Sequence, residues 1–480
     1  MGQWFSDQVL AIVVGVVGTL FAVTLLAVSL GLGLGLGLEE ECDCPTFNLD
    51  EQCPTVEEKQ YINVGVLHSL SGALANSERP VVDATLLAIE EINSAGGVNG
   101  FLLNPVLRDG NSNEQVFATE MENLLSQEEV EVVFGCWTSA SRKAVLPVLA
   151  EHDGLLFYPV QYEGVEEDPN VVYTGAAPNQ QIIPALEWAY NVRSWRKFAL
   201  VGSDYIFPRT ANAIIKDVLN GLENVTYSES YLVLGDISAE RIQTVVDFVK
   251  GEAPDVVLNT INGDTNINFF ILLQGSGIPV ISFSIAEPEI KGIGSDILQG
   301  SLAAWYFAFP SSLASLFYQH NSHSRFSSRN YFQSVPGSTN ANFVGRFKSK
   351  YGSVSVVGDP MVAGYSGVHL WAGAAKAAGS FDKQDLLRSL KNSTRFNSPQ
   401  GMLRVSKNQH TVKRWYLGET GINGQFNILQ GGEEAIPPEP YPASRTKEQW
   451  EEFLSCWNEA WEGSWSNTKG PANILPNDHC

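Results

Sequence analysis

The feature that most constrains this chain is a regular alternation of strand-like and helix-like segments that starts near residue 61. Residues 61–67 read as a strand. Residues 80–93 put Val82, Leu86, Ile89 and Ile92 on one helical face, and Gly96-Gly97 stops that helix. A strand at 102–108, a helix at 114–125, a strand at 130–134, a helix at 139–151 and a strand at 155–158 follow. The rhythm resumes through 178–191, 198–201, 209–222, 239–251, 255–259, 266–275 and 279–283, and closes on short strands near 402–405 and 412–417. Strands joined by helices of this length require parallel sheets covered by their crossovers. The chain has 480 residues, more than one core accommodates. The expectation is an α/β fold of two doubly wound parallel-sheet lobes with a ligand cleft between them. Lobe 1 is assigned to 61–180 and about 302–380, lobe 2 to 181–301 and about 381–442.

Three segments interrupt the pattern. Residues 306–329 are rich in Ser, Phe and His without a period of 2 or 3.6, and read as an insertion loop. In the Trp-rich tail, 443–480, residues Trp450, Phe453, Leu454, Trp457 and Trp461 form an aromatic helical stripe, and Thr446 with Gln449 makes a capping box. That stripe docks on the protein's own lobe or meets a partner. Residues 9–38 carry no charge. They predict one N-terminal transmembrane signal anchor, spanning at about 9–30, or a signal peptide. A short cytoplasmic stub (1–8) precedes this segment, and an acidic linker (39–60) with Cys42, Cys44 and Cys53 follows. The linker cysteines could bridge to Cys456 and Cys480 in an oxidising compartment. With sequons at Asn224 and Asn392, the expectation is a membrane-anchored glycoprotein whose lobes lie on the extracellular, periplasmic or lumenal side. Asp and Glu total 53 against 30 Lys and Arg, which excludes nucleic acid as a partner because that needs a basic surface.

Ligands of parallel α/β sheets sit beyond the carboxyl ends of the strands. Those ends supply the candidate ligand-binding set Trp137, Thr138, Ser139, Tyr158, Val160, Gln161, Asp204, Tyr205, Phe207, Asn262, Asp264 and Glu287. Hydroxyls, amides and carboxylates beside aromatic rings suit a small planar amide. Its carbonyl needs donors such as Ser139, its N–H groups need acceptors such as Asn262, Asp264 and Glu287, and its faces need walls such as Trp137 and Tyr205. Taken singly, such Ser, Asp and Asn residues also serve as helix caps. Catalysis is not expected. The seven histidines have no metal-ligand spacing, and Cys136, a buried thiol by its context, lacks an evident base, with Arg142 and Lys143 read as facing solvent. No metal or cofactor is implied.

Eight stretches carry a resemblance: AIEEINSAGGVNG (88–100), GCWTSASRKAVLPV (135–148), YPVQYEG (158–164), YTGAAPNQQ (173–181), GSDYIFPRTAN (202–212), NTINGDTN (259–266), SFSIAEPE (282–289) and PPEPYP (437–442). Over about 63–442 the chain closely resembles the type I periplasmic binding-protein superfamily, and within it the urea-binding proteins of urea ABC transporters and the related short-chain amide sensors. The resemblance implies capture of urea or a short amide by cleft closure, for transport or sensing, through Trp137, Ser139, Tyr158, Tyr205, Asn262, Asp264 and Glu287. It also implies a transporter or signalling membrane partner. An amino-acid receptor of the same fold is the alternative, and an amide hydrolase a more remote one. The apolar N-terminal segment, the 306–329 insertion and the Trp-rich tail depart from the family pattern.

Overall fold

A computed structural model of the protein describes residues 59–294, 297, 325–421 and 423–467. The stub, the apolar segment, the linker cysteines and the insertion up to residue 324 lie outside the described residues. Among the described residues no helix is long and apolar enough to cross a membrane.

The first sheet has five parallel strands in the order β2-β1-β3-β4-β5: β1 (Gln60–His68), β2 (Phe101–Asp109), β3 (Val133–Gly135), β4 (Leu156–Tyr158) and β5 (Val171–Tyr173). Helices α1 (Ala75–Ser94), α2 (Glu114–Ser126) and α3 (Ser139–Glu151) connect them. The inner strands read as continuous Val, Leu and Phe runs because both faces are covered, and their side chains are buried. Each such side chain contributes about 1.5–3 kcal/mol relative to exposure.

After α4 (Ile182–Asn191) the second sheet begins with β6 (Lys197–Ser203), α5 (Ile206–Asn220), β7 (Thr226–Leu232), α6 (Ala239–Glu252), β8 (Val256–Thr260), α7 (Thr265–Leu273), β9 (Val280–Ser282) and α8 (Glu287–Ile293). With β10 (Arg325–Arg329) these strands pair in parallel in the order β7-β6-β8-β9-β10. The chain then returns to the first lobe. There α9 (Ser338–Tyr351) and α10 (Asp359–Ala378) pack on α1, and α11 (Lys383–Asn392) packs on α10. Antiparallel strands β11 (Arg395–Ser398), β12 (Gly401–Val405), β13 (Thr411–Thr420) and β14 (Phe426–Ile436) extend the second sheet beyond β10. The observed architecture is thus the expected α/β fold, with one all-parallel sheet and a second whose parallel strands are extended by antiparallel ones.

Two expectations need correction. Residues 325–329 of the expected insertion are a buried strand of the second sheet, not a surface loop of lobe 1. Their sequence, RFSSR, hides this because its serines and one nitrogen of Arg325 find carbonyl partners inside: Ser327 Oγ donates to Ile285 O (2.7 Å), Ser328 Oγ to Gln181 O (2.6 Å) and Arg325 Nη1 to Ile278 O (2.6 Å). Helix α11, assigned to lobe 2 by the boundary at 381, lies on α10 over the first sheet.

The passages between the sheets are tied together by side-chain amides. Gln180 Nε2 donates to Thr411 O and Ile436 O, Gln181 Nε2 to Phe283 O and Ser328 O, and Asn330 Nδ2 to Gln180 O and Arg414 O, all within 2.7–3.0 Å. The tail forms α12 (Lys447–Ala460) behind the predicted Thr446–Gln449 capping box. It packs on α5, and Trp450, Phe453, Leu454 and Trp457 join the core of the second lobe. Docking on the protein's own lobe is therefore what the stripe does. Cys456 on this helix is disulfide-bonded, and its partner lies outside the described residues. Asn224 and Asn392 are both exposed.

Candidate functional site

The carboxyl ends of the two sheets meet. Helix α3 contacts α5, α1 contacts α8, and Asn76 at the start of α1 donates to Asp264 Oδ1 across the lobes (3.2 Å). The crevice between them is shut, and Trp137, Tyr158, Tyr205 and Phe207 are all buried.

The turn after β3 is built for close approach. A Cβ on Gly135 would lie 2.0 Å from Leu67 O, so β1 and β3 touch there only through glycine. Cys136 follows at φ +62°, a left-handed conformation that costs a non-glycine residue about 1–3 kcal/mol. That bend carries Trp137 beyond the sheet and leaves Thr138 as the N-cap of α3, its Oγ1 accepting from Ser141 N (3.0 Å). Tyr158, the last residue of β4, donates to Trp137 O (2.6 Å). Cys136 is a free, fully buried thiol whose burial pushes its pKa well up, which removes the thiolate a nucleophile needs.

Arg142 and Lys143 do not face solvent as expected; both are buried. Glu163 and Glu166, in the loop after β4, draw them in. Arg142 Nη2 pairs with Glu163 (3.0 Å) and its Nε with Glu166 (2.8 Å), while Lys143 Nζ takes the second Glu166 oxygen (2.8 Å). Burial acts to raise the Glu166 carboxyl, but Arg142 and Lys143 outweigh it and hold it well below the usual range. The Arg142 guanidinium also lies over Tyr158 and Tyr162, 4.8 and 4.5 Å from the ring centres. Ser139 belongs to this network: it bonds Glu163 and accepts from Arg142 Nη1 (3.1 Å). Its hydroxyl proton is therefore engaged inside the protein.

From the second lobe, Tyr205 comes close enough to Tyr158, Glu163 and Arg142 to feel their charges, although burial is the main reason its hydroxyl is pushed up. Phe207 lies beside it, 6.2 Å between ring centres. Trp137, Ser139, Tyr158, Tyr205 and Phe207 therefore form one group, with Val160 and Gln161 buried in the loop that follows Tyr158. Other candidates are engaged elsewhere. Asp204 pairs with Arg209 (2.7 Å) and accepts from Asn467 Nδ2 (2.7 Å). Asn262 bonds Ser203 and Thr260. Asp264 is half-buried beside a cavity of about 40 Å³ shared with Asn76, Ser77 and Glu289, room for water alone. Glu287 faces the passages between the lobes. Its Oε1 accepts from Gln333 N (2.6 Å), and Arg329 and Asp359 act on it electrostatically. Burial pushes its pKa up to about 8 against the lowering effect of Gln333 and Arg329.

Several buried polar atoms have no hydrogen-bond partner among the described residues. At the ends of adjacent strands β1, β3 and β4 these are His68 Nε2, Trp137 Nε1 and Gln161 Oε1, with Glu78 Oε1 beside His68; Ser284 Oγ follows β9. Between the lobes they are Glu287 Oε2, Arg329 Nη1, Asp359 Oδ1 and Lys413 Nζ. An orphaned buried group costs about 1–3 kcal/mol, so such a group marks a place where a guest can be recognised. His68 and Glu78 were missed in the sequence. His68 Nδ1 lies 3.0 Å from Glu78 Oε2, which also accepts from Ser69 N (2.8 Å). The available signal was that His68 directly follows the first strand's apolar run.

A family model described as the periplasmic binding protein domain matches residues 62–322 and 312–447. Solved structures with the same fold include three solute-binding proteins. One is the solute-binding protein of an ABC transporter from R. palustris in complex with 4-hydroxybenzoate (TM-score 0.66, 19% identity, 79% of this chain and 98% of that one). Another is a leucine-binding protein from Thermotoga maritima (0.63, 17%, 78% and 99%). The third is a branched-chain amino acid transporter substrate-binding protein from Streptococcus pneumoniae with isoleucine (0.62, 19%, 79% and 100%). A limonene hydroxylase from Geobacillus stearothermophilus is 33% identical over 115 residues, 24% of this chain, so the chain spans about a fifth (21%) of that relative's length.

Proposed function

The chain belongs to the periplasmic binding protein domain family, and on that premise we propose that it captures a small, uncharged, planar amide, with urea the simplest, by closing its two lobes. The carrying observation is the pairing of an orphan donor, Trp137 Nε1, with an orphan acceptor, Gln161 Oε1, at the ends of neighbouring strands, both buried. Urea offers the complements: a carbonyl oxygen for the indole N–H and amide hydrogens for Gln161. The nearby cations Arg142, Lys143 and Arg209 already hold carboxylates, so a guest with no charge fits without breaking an ion pair. Capture serves transport or sensing from the outer side of a membrane, with the apolar segment 9–38 as tether. Sequestration, not turnover, is the reading that a protonated, buried Cys136 supports.

One rival has its own observation. Arg329 Nη1 and Lys413 Nζ lie with Glu287 Oε2 and Asp359 Oδ1 as orphans between the lobes, and a zwitterionic amino acid would match two donors and two acceptors. Calorimetry of the full chain against urea, acetamide, leucine and 4-hydroxybenzoate separates these. Urea or acetamide should bind with one site per chain. Saturable binding of leucine or 4-hydroxybenzoate with no heat from either amide would sink the proposal.

A further inference from the structure

Residues 464–467 leave α12 and run across the junction of the two lobes. On the second lobe they are firmly seated. Tyr205 and Ser466 form an antiparallel bridge, Ile206 N donates to Trp465 O (3.0 Å), and Asn467 N donates to Asp204 O (3.0 Å). Asn467 Nδ2 adds its bond to Asp204 Oδ2. Behind this segment α12 is fixed in the same core, and Trp457 lies 4.6 Å from the Arg209 guanidinium that pairs with Asp204.

On the first lobe three of these four residues reach a single carboxylate. Glu114, the first residue of α2, accepts from Ser464 Oγ (2.6 Å), Trp465 N (3.3 Å) and Ser466 Oγ (3.2 Å). The Lys143 ammonium lies 4.8 Å from the centre of the Trp465 ring. The two sides differ in strength. The second-lobe contacts are continuous with a buried helix, whereas the first-lobe hydrogen bonds converge on one half-buried side chain. When the lobes part, the tail must therefore stay with the second lobe, and the three charge-assisted bonds to Glu114 must break.

We propose that segment 464–467 is a latch that holds the lobes shut through Glu114 and so sets how fast a captured ligand leaves. The closure half of this stands on the contacts alone; the ligand half rests on the proposed amide capture. The segment touches Tyr205 and Asp204, two residues at the mouth of the same crevice, so opening of the latch and exposure of the site are one movement. Cleft closure in such a protein is a two-state equilibrium that any contact present only in the closed form biases.

The test uses the full chain and two variants that leave the crevice lining untouched, Glu114→Gln and the double variant Ser464→Ala/Ser466→Ala. Without ligand, hydrogen–deuterium exchange followed by mass spectrometry reads the amides of 135–141, and the amides of β6 and β8 report that the fold is intact. Both variants should speed exchange of the crevice amides at least tenfold and leave β6 and β8 unchanged. Urea dissociation, read by stopped flow, should accelerate by a similar factor. Unchanged crevice exchange in both variants overturns the latch. Faster crevice exchange in a protein whose wild type gives no heat with urea supports the latch and removes the amide reading, so the two claims fail separately.

Discussion

Trp137→Phe isolates the one donor on which the proposed amide recognition depends. Phenylalanine keeps most of the ring that Trp137 buries and deletes Nε1, which makes no hydrogen bond among the described residues. Folding stability should therefore change little, since no existing hydrogen bond is broken. Binding should change much more. On the proposed reading the indole N–H of the wild type meets the urea carbonyl, and in the variant that carbonyl is buried facing a hydrocarbon edge. An unsatisfied buried acceptor costs about 1–3 kcal/mol, and each 1.4 kcal/mol is tenfold in affinity, so the loss should be about 5- to 150-fold. Titration calorimetry of the two proteins at one pH and salt concentration gives the ratio, and a denaturant melt of each shows that the fold is unchanged. A ratio below twofold with an intact fold would mean that Trp137 Nε1 does not face the ligand, and the proposed orientation would have to be abandoned.

Removing the Arg142 side chain by Arg142→Ala leaves Glu163 and Glu166 buried with Lys143 alone to balance them. Breaking a buried pair typically costs about 3–5 kcal/mol, and equilibrium denaturation should show a loss of that order; less than 1 kcal/mol would mean the network relaxes freely. Glu287 titrates at about 8 in the folded chain against 4.5 as its ordinary value. The folded state holds that proton more tightly, so the group's stabilisation is complete below about 4.5 and is lost as pH rises through about 8. The ceiling is roughly 5 kcal/mol. Glu287→Gln should flatten the decline in denaturation midpoint between pH 5 and 9, and an identical decline in both proteins would assign it to other groups. Lys413→Met should leave urea affinity within twofold, because Lys413 lies with Glu287 and Asp359 between the lobes rather than at the Trp137 end. A tenfold loss in calorimetry would move the ligand to that cluster.

The alternation of elements was legible in the sequence because buried parallel strands need apolar runs and their crossovers need amphipathic helices. Strand β10 was not, since RFSSR carries neither period. Its serines and one nitrogen of each arginine bond to carbonyls of Ile278, Ile285 and Gln181, residues far away in the chain. The site was legible at one level only. Strand-end reasoning brings out Trp137, Tyr158 and Tyr205, which the structure buries together, because position beyond a strand is a local property. It could not tell which hydroxyls and carboxylates were already engaged. Ser139 is held by Glu163, Asp204 by Arg209 and Asn467, and Asp264 by Asn76. Those pairings join residues up to 263 positions apart, and no spacing rule reports them. Arg142 and Lys143 were misplaced for the same reason: on a helix face they read as solvent-facing, and only the loop after β4 supplies the acids that make their burial possible.

Those internal pairings also limit the chemistry of a guest. A charged ligand entering a closed crevice loses its hydration, a penalty of several kcal/mol, and must recover it from an opposite charge that is not otherwise engaged. Among the described residues, each buried cation at the Trp137 end already has a carboxylate, and Glu166 alone serves both Arg142 and Lys143. A carboxylate guest would have to displace Glu163 or Glu166, leaving a buried acid uncompensated. A guest that presents only a carbonyl and N–H groups would leave each ion pair whole and meet the indole N–H and the amide oxygen that have no partner among the described residues. The proposed preference for an uncharged amide thus rests as much on the charges the protein has already matched as on the atoms it leaves open.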